Sequence, residues 1–367
     1  MIETIKDGEF DLYEDFDNRY LRRDDRFDIE RDALKRIPVI DLSPFVQGSD
    51  VAARHRVGRE LRKACIDVGF FYLTGHGIPA AELDEAIAWG HRFFELPLEE
   101  KMALHTKGTG APGFMRVGGI DPENNPDKAA DLKERFIMSR ELFPDEPAEG
   151  WRAAGLSQWP AERVLPGFAS FMKTHLAGRV VLAQRTARAF ALSLDLPETY
   201  FDATFRHLGV VSIINYYPPL DSTVAKRTQW SFSPHTDYGA FTLLSQDSLG
   251  GLQVRNCAGQ WIDVPPIPGT FVVNLGDLMA TWTNDLFTSN LHRAANASAK
   301  ARISIPFFVS PQGATVIRCL ETCQSANNPP RYAPVGAGDY VRTLLEQSGR
   351  TGRPGVAVRT AERFRKL

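Results

Sequence analysis

The sequence predicts a mostly β core preceded by a helical region, and three observations support this fold class. Apolar residues recur at helical spacing up to about residue 205, and after it short β-branched and aromatic runs alternate with Gly, Pro, Asp and Asn. Eight of these runs follow one another at near-regular spacing, which indicates a sandwich, a barrel or a jelly roll. The halves are not separated by a Gly/Ser-rich linker, so we expect the helices to wrap the β core.

The helical region contains three predicted helices and a few short strands. Pro79 suits the first turn of a helix, and a Gly-, Pro- and Asn-rich stretch is typical of a loop. The charge-dense start of the chain is interpreted as a solvated arm, with partner binding as the alternative. In chain order the elements are a strand at 37–40, a helix at 51–68, a strand at 69–74, a helix from 79 towards 94, a loop at 108–126, a strand at 133–139 and a helix at 165–194.

The β half consists of eight predicted strands and one last helix. Each strand is a short apolar run bounded by turn residues. The strands are predicted over 208–217, 239–246, 251–256, 260–265, 269–276, 289–295, 301–309 and 314–319, and the helix over 336–349. These elements divide the chain into a charged arm (1–36), a helical region (37–205), a β core with its last helix (206–350) and a tail (351–367).

The composition narrows the class of protein. With 43% hydrophobic and 24% charged residues and a formal net charge of -2, the chain is typical of a soluble globular protein and favours neither nucleic acid nor a membrane as a partner. Its start lacks the apolar core of a secretory signal. Four scattered cysteines indicate free thiols in a cytoplasmic protein, with a zinc half-site at Cys319 and Cys323 as the alternative.

A histidine and an aspartate two residues apart are the first candidate site. His235 and Asp237 precede an apolar run, and residues i and i+2 of a strand share a face. A third ligand is available from His292, in another predicted strand. Two histidines and one carboxylate form the facial set of non-haem Fe(II) oxygenases, and zinc with a bound water is the competing metal. Taken alone, the pair is also compatible with an ordinary turn.

A second candidate site lies in the predicted strand 301–309. Arg302 and Ser304 are two residues apart and so share a face, and an arginine turned into a β core requires an anionic partner. A guanidinium binds a carboxylate in bidentate fashion, which indicates an anionic ligand. The alternative is an internal salt bridge to Asp263 or Asp277.

Together these motifs resemble the isopenicillin N synthase-like family of Fe(II)- and 2-oxoglutarate-dependent dioxygenases. The resemblance covers roughly residues 37–349 and includes HTD at 235–237, His292 and RIS at 302–304. Further matching segments are IPVIDLS at 37–43, GFFYLTGHGIP at 69–79, LKERF at 132–136, NYYPP at 215–219, GGLQV at 250–254, W-x-x-V-P at 261–265 and N-x-G-D at 274–277. The resemblance implies a distorted double-stranded β-helix (jelly roll) with a helical N-terminal region and a C-terminal helix.

The resemblance also implies roles for particular residues. Fe(II), 2-oxoglutarate and O2 are the expected cofactor and cosubstrates, and hydroxylation, desaturation or ring formation at a C–H bond of a small molecule is the expected reaction, with release of succinate and CO2. An iron-bound carboxylate argues against halogenation. The implied iron ligands are His235, Asp237 and His292; 2-oxoglutarate is held by Arg302 and Ser304, with Tyr217 and Asn215 near its iron-bound end; and Phe308 lines the substrate pocket.

The substrate is less constrained by the sequence. The loop over 107–126 is expected to close over the pocket, with Phe114 and Arg116 as candidate substrate contacts. An inward Arg116 favours an anionic or amino-acid-like substrate, whereas the alternative is a solvent-facing Arg116 beside a packed Phe114. Two other functions stay open: an iron oxidase of the same family that does not use 2-oxoglutarate, and a non-catalytic jelly-roll binding protein.

Overall fold

The structure of the protein is a computed structural model. It describes residues 37–48, 51–106, 111–116, 133–146, 156–219, 231–255, 260–294 and 298–351. The predicted arm at 1–36, the parts of the predicted loop at 108–110 and 117–126, and most of the predicted tail lie outside the described residues.

The described residues contain fourteen strands and seven helices. The strands are β1 (Val39–Asp41), β2 (Phe70–Thr74), β3 (Gly113–Met115), β4 (Glu134–Met138), β5 (Gly209–Tyr217), β6 (Phe232–His235), β7 (Phe241–Gln246), β8 (Leu252–Arg255), β9 (Trp261–Asp263), β10 (Phe271–Leu275), β11 (His292–Ala294), β12 (Arg302–Ser310), β13 (Val316–Ile317) and β14 (Val335–Gly336). The helices are α1 (Ser43–Val46), α2 (Val51–Asp67), α3 (Ala80–Phe94), α4 (Leu98–Met102), α5 (Phe168–Ser193), α6 (Asp277–Trp282) and α7 (Ala337–Thr351).

Two sheets face each other and form the predicted jelly roll. The larger sheet has eight strands in the order β1-β2-β10-β7-β12-β5-β4-β3, and the smaller has four in the order β6-β11-β8-β9. All eight strands predicted in the second half are present, as is the last helix. Strands β1 to β4 of the larger sheet come from the region predicted as helical, so this sheet crosses the boundary expected at 205/206.

The two faces of the larger sheet have different surroundings. The face that packs against the helices is called the outer face here, and the face towards the smaller sheet is the inner face. On β12, Ile303, Ile305, Phe307 and Val309 belong to the main apolar core with helix residues. Helix α3 approaches the outer face so closely that a Cβ at Gly90 would lie 3.1 Å from the side chain of Ile303. The inner face therefore receives the alternate residues of each strand.

Three local predictions need correction. Residues 113–115 form strand β3 inside the stretch predicted as a loop, and the long helix begins at Phe168 rather than 165. Strand β6 was not predicted, and it ends at His235, so Asp237 lies in the turn that follows. Pro234 explains the omission, because a proline removes a donor from the strand pattern.

Among the described helices, none combines the length and the apolar character needed to span a membrane.

Candidate metal centre and active site

Three buried side chains lie close together at the β6–β11 pair of the smaller sheet. His235 and His292 are directly opposite each other in the β6–β11 pair, and Asp237 follows β6. The Oδ1 atom of Asp237 lies 3.9 Å from Nε2 of His235 and 3.6 Å from Nε2 of His292. In the part of the chain that the structure describes, these three residues form the one group with metal-ligand geometry, their ligand atoms lying within 4.8 Å of one another. A cross-strand pair and a turn, rather than one strand face, bring them together.

Only one oxygen of Asp237 is directed at the histidines. Its other oxygen, Oδ2, accepts hydrogen bonds from the hydroxyl of Thr242 and, at 2.6 Å, from the amide of Asn274. These two donors lie on paired positions of β7 and β10. Because they hold Oδ2, the carboxylate is oriented to offer a single ligand atom, and hydrogen-bonded ligands of this kind are a general feature of metal sites.

Both imidazole rings are fixed by their neighbours. The Nδ1 atom of His292 lies 3.2 Å from the carbonyl oxygen of Asn290, which makes Nδ1 the donor and leaves Nε2 to face Asp237. The edge of Phe70 packs against the same ring. His235 stacks on the ring of Phe232, with 3.9 Å between their centroids. An imidazole whose second nitrogen donates to a carbonyl, as in His292, is oriented for metal ligation through its other nitrogen.

Asp277 stabilises the turn that carries Asp237 through hydrogen bonds. The backbone N–H of Asp277 donates to the carbonyl of Asp237 at 2.8 Å, and its carboxyl group lies 3.4 Å from the hydroxyls of both Thr236 and Tyr340. Burial raises the pKa of Asp277 to about 7. Gly276 is required beside it, since a Cβ there would lie 2.2 Å from a backbone oxygen. Asp277 therefore has a local structural role.

Arg302 lies buried on the inner face with one terminal nitrogen unused. Its Nε donates to the carbonyl of Gly250, and its Nη2 donates to Oε1 of Gln246 at 3.1 Å. The buried Nη1 has no hydrogen-bond partner among the described residues. The alternative of an internal salt bridge is not supported, because the carboxylates of Asp263 and Asp277 bond elsewhere.

The residues predicted around 2-oxoglutarate share the inner face with Arg302. Register pairs Arg302 with Tyr217 and Ser304 with Asn215 across β12 and β5. The hydroxyls of Tyr217 and Ser304 lie 3.3 Å apart, and the guanidinium of Arg302 lies 4.8 Å from the centre of the Tyr217 ring. Oδ1 of Asn215 is buried without a hydrogen-bond partner in the described structure. Two buried polar atoms on this face, Nη1 of Arg302 and Oδ1 of Asn215, therefore have no partner among the described residues, which is the arrangement of a ligand site.

The three residues predicted for the substrate pocket separate in the structure. Phe308 is half-buried on the inner face, opposite Thr242 in the β12–β7 pair and so close to Asp237. Phe114 is fully buried in the main core with Phe93, so it does not line a pocket and that prediction is wrong. Arg116 is exposed directly after β3 and gives no support to an inward position.

Sequence reasoning missed three residues that orient the site side chains. Thr242 and Asn274 orient Asp237, and Gln246 orients Arg302. Alternation along β7 was the available signal, because Thr242 and Gln246 are four residues apart and thus share a face. Asn274 is the first residue of the N-x-G-D segment, and its position on the same strand face as Val272 gave no separate signal.

The donor set fits Fe(II) with 2-oxoglutarate. Two imidazoles and one single-oxygen carboxylate would supply three ligands to an ion and leave its other positions for a cosubstrate and O2. The unused Nη1 of Arg302, beside the hydroxyl of Ser304, is matched to a carboxylate. The fold and the site thus define a non-haem iron oxygenase.

Comparison with known proteins leads to the same class. Residues 37–162 match the family described as the N-terminal region of non-haem dioxygenases in morphine synthesis, and residues 209–311 match the 2OG-Fe(II) oxygenase superfamily. The chain belongs to the 2OG-Fe(II) oxygenases, and it is an iron-dependent dioxygenase that uses 2-oxoglutarate and O2.

Individual relatives cover most of the chain. The 2-oxoglutarate-Fe(II) type oxidoreductase ppzC of Metarhizium majus is 36% identical over 86% of this chain and 88% of its own length. A full-length Neurospora crassa protein, solved in complex with alpha-KG and thymine, is 30% identical, with a TM-score of 0.78 over 87% of this chain and 99% of that one. The structure of JOX2 with 2OG, Fe and JA is 26% identical, with a TM-score of 0.71 over 91% and 92%.

Proposed function

We propose that the protein oxidises a C–H bond of a small anionic molecule, with His235, Asp237 and His292 as iron ligands and Arg302 and Ser304 as the receptor for the distal carboxylate of 2-oxoglutarate. The observation that carries this proposal is the triad of buried ligands on the same side of the larger sheet as an arginine whose terminal Nη1 is unused.

The chain's own residues prepare the site for this reaction. When bound, Fe(II), 2-oxoglutarate and O2 supply an oxidant that removes hydrogen from a C–H bond, with succinate and CO2 as coproducts. Thr242 and Asn274 hold Oδ2 of Asp237, so the other carboxylate oxygen stays directed towards the two histidines and would be the one that binds the metal. Arg302 offers a charge-assisted hydrogen bond to the distal carboxylate, and Ser304 offers a second donor.

Tyr217 and Asn215 lie where they can contact the other end of 2-oxoglutarate. Tyr217 already contacts Ser304, and the amide of Asn215 has a buried oxygen available for a ligand. Phe308 lies opposite Thr242 in the β12–β7 pair, on the inner face of the sheet. Its ring would help to keep water from the reacting C–H bond.

A small-molecule substrate is supported by the relatives, since solved neighbours hold thymine or JA. The anionic character belongs to our proposal, and an amino acid is one member of that class. Cys65, Cys319 and Cys323 are free thiols, which supports the proposed cytoplasmic location because free thiols persist in a reducing compartment.

The test is 2-oxoglutarate turnover by the iron-loaded protein. We expect O2-dependent formation of succinate, even without substrate, at a slow uncoupled rate that Asp237→Ala removes. O2 consumption that requires no 2-oxoglutarate would instead favour the oxidase alternative. A protein that binds neither Fe(II) nor 2-oxoglutarate would be a non-catalytic jelly roll, contrary to the proposal.

A further inference from the structure

The turn that carries Asp237 is held by the segment that ends β10 and begins α6. Asn274, the first residue of this segment to contact the turn, donates from its amide to Oδ2 of Asp237. Three consecutive backbone N–H groups then donate to carbonyl oxygens of the turn: Gly276 to Ala240 at 2.9 Å, Asp277 to Asp237 at 2.8 Å and Leu278 to Gly239 at 3.1 Å. The position of the Asp237 carboxylate is therefore fixed through both side chain and backbone.

The side chain of Asp277 connects this segment to two other parts of the chain. Its Oδ2 atom lies 3.4 Å from the hydroxyl of Thr236, the residue between His235 and Asp237. The same oxygen lies 3.4 Å from the hydroxyl of Tyr340, which belongs to the C-terminal helix α7. One carboxylate oxygen therefore accepts from the turn with two candidate metal ligands and from a helix about a hundred residues further along the chain.

Packing holds Tyr340 in place independently of its hydroxyl group. Tyr340 is 3% exposed, and it belongs to the main apolar core together with Val341 and Leu344 of the same helix. Leu278 of α6 is part of this core as well. The ring of Tyr340 therefore presents its hydroxyl to Asp277 from a packed position, and removal of the hydroxyl alone should leave α7 docked.

Hydrogen bonds around the ligands of a metal influence how tightly the metal binds. A ligand that is already held in its binding position loses less conformational freedom when the ion arrives. Thr236 is bonded covalently to both His235 and Asp237, so a restraint on Thr236 acts on two of the three ligands. A donor that fixes Asp277, and through it Thr236, should therefore raise the affinity of the site for its metal.

We propose that Tyr340 is a positioning residue for the metal centre: its hydroxyl restrains Asp277, Asp277 restrains the turn from His235 to Asp237, and the C-terminal helix thereby contributes to Fe(II) affinity. This inference rests on the proposed function, because it takes His235 and Asp237 as iron ligands. It goes beyond that function by linking iron affinity to the docking of α7, which supplies none of the three ligands.

The experiment measures the Fe(II) affinity of the full-length protein without O2, by competition with a chelator, and the melting temperature of the same protein without metal. Tyr340→Phe retains the packed ring and removes the hydroxyl. We expect this variant to bind Fe(II) about fivefold more weakly, which is less than the loss expected for a direct hydrogen-bond partner of a ligand. Its melting temperature should fall by only about 2 °C, because the apolar contacts of the ring remain.

Tyr332→Phe is the matched control, since it removes another tyrosine hydroxyl from an aspartate. The Tyr332 hydroxyl lies 2.7 Å from both carboxylate oxygens of Asp285, so this hydrogen bond is shorter than the one from Tyr340. Asp285 follows α6 and also pairs with Arg331. Tyr332→Phe should lower the melting temperature at least as much as Tyr340→Phe, yet its Fe(II) affinity should stay within about twofold of wild type.

A double-mutant cycle tests whether Tyr340 acts through Asp277. Thr236→Val removes the other hydroxyl at Oδ2 of Asp277 and should also weaken Fe(II) binding about fivefold, whereas Thr236→Ser retains a hydroxyl and should retain most of the affinity. Because both donors hold the same carboxylate, the double variant should be weakened about tenfold, which is less than the product of about 25-fold. Thr236→Val also provides an independent reading if Tyr340→Phe does not fold.

Three results would overturn the inference: a wild-type Fe(II) affinity in Tyr340→Phe, an equal loss of Fe(II) affinity in Tyr332→Phe, or a double variant weakened by the full product of the single effects. The second would indicate general loosening, and the third would show that the two hydroxyls act independently of each other. Failure of the proposed function is recognised separately, because the wild type would then bind no Fe(II), or Asp237→Ala would bind it as tightly as the wild type.

Discussion

Two arginines are fully buried on opposite faces of the same pair of strands, β7 and β12. Arg179, from helix α5, reaches the outer face, where its two terminal nitrogens donate to the hydroxyl of Ser245 and to the carbonyl of Ile305. Arg302 lies on the inner face, and its terminal Nη1 has no hydrogen-bond partner in the part of the chain that the structure describes. Both side chains are at most 1% exposed, so burial alone does not distinguish them.

The difference lies in which nitrogen is free and in what lies beside it. Among the described residues, Nε is the one nitrogen of the Arg179 guanidinium without a hydrogen-bond partner, and the rings of Phe271 and Phe307 lie next to that guanidinium. Arg302 leaves Nη1, at the tip of the guanidinium, beside the hydroxyl-bearing side chains of Tyr217 and Ser304. The first arginine links a helix to two strands, and the second is ready for a ligand. A buried arginine therefore indicates a binding site only when its terminal nitrogens remain available on a polar wall.

The largest effect that we predict from the difference between the two faces is a loss of Fe(II) binding. Replacing Asp237 with Ala removes the carboxylate that Thr242 and Asn274 orient, so Fe(II) binding and succinate formation should both be lost. Metal content after dialysis and 2-oxoglutarate turnover provide the measurements. Asp263→Ala, which alters an exposed carboxylate of the smaller sheet, is the control and should retain both. Full iron content in Asp237→Ala would show that the inner face does not hold the metal through this residue.

The next largest effect separates the two arginines by the same substitution. Arg302→Met should weaken 2-oxoglutarate binding about a hundredfold, which corresponds to about 2.7 kcal/mol, since a charge-assisted pair with the distal carboxylate is removed. Arg179→Met should leave this affinity within about threefold. Titration of 2-oxoglutarate into both iron-loaded variants checks the contrast, which would break if the two affinities fell equally.

The stability of the two variants should show the opposite order. Arg179→Met leaves the Ser245 hydroxyl and the Ile305 carbonyl without their buried donor and should lower the free energy of unfolding by about 1–3 kcal/mol. Arg302→Met also leaves two acceptors without their donor, but one of them is the side chain of half-buried Gln246, which can bond to water instead, so the stability should change by less. Urea unfolding of the metal-free proteins measures both. An Arg302 variant less stable than the Arg179 variant would contradict our structural assignment of Arg179.

Removing one hydrogen-bond donor to Asp237 should reduce the Fe(II) affinity less than removing Asp237 itself. Asn274→Ala removes one of the two donors to Oδ2 and should weaken Fe(II) binding by about 10- to 100-fold. Asn215→Ala, on the same inner face, should leave metal affinity unchanged because its amide makes no contact with the triad in the described structure. Competition with a chelator measures the affinities, and equal losses in both variants would indicate a general loosening of the face.

Much of the difference between the two faces of the larger sheet could be predicted from the sequence, because successive side chains of a strand point to opposite faces. The spacing of Arg302 and Ser304 predicted a shared face, and the structure places both on the inner one. The spacing of His235 and Asp237 gave the correct neighbours through the wrong geometry, since β6 ends at the histidine. Phe114 was misplaced because a three-residue strand gives too little pattern to tell its faces apart.

The smallest predicted effect lies beside Arg179 and concerns pH. His175 is 1% exposed, its Nδ1 lies 2.7 Å from a carboxylate oxygen of Glu82, and burial holds the pKa of His175 well below its usual 6.5. In the folded protein the ring therefore stays neutral, whereas in the unfolded chain it takes up a proton below about pH 6.5. The unfolded state then binds more protons, so stability is fully present above pH 6.5 and is lost as pH falls towards the folded-state pKa.

The loss should approach about 1.4 kcal/mol per pH unit below that point, and His175→Phe, which retains the stacking on Phe171, should remove this component. Urea unfolding of both proteins between about pH 5.5 and 7.5 provides the comparison. Asp277, whose pKa is raised to about 7 by burial, contributes a slope of opposite sign, but it is present in both proteins and cancels in their difference. Parallel pH profiles would mean that His175 has the same pKa in the folded and the unfolded chain. A difference of the opposite sign would mean that the Glu82 carboxylate keeps His175 protonated in the folded state, as a buried ion pair beside Arg179.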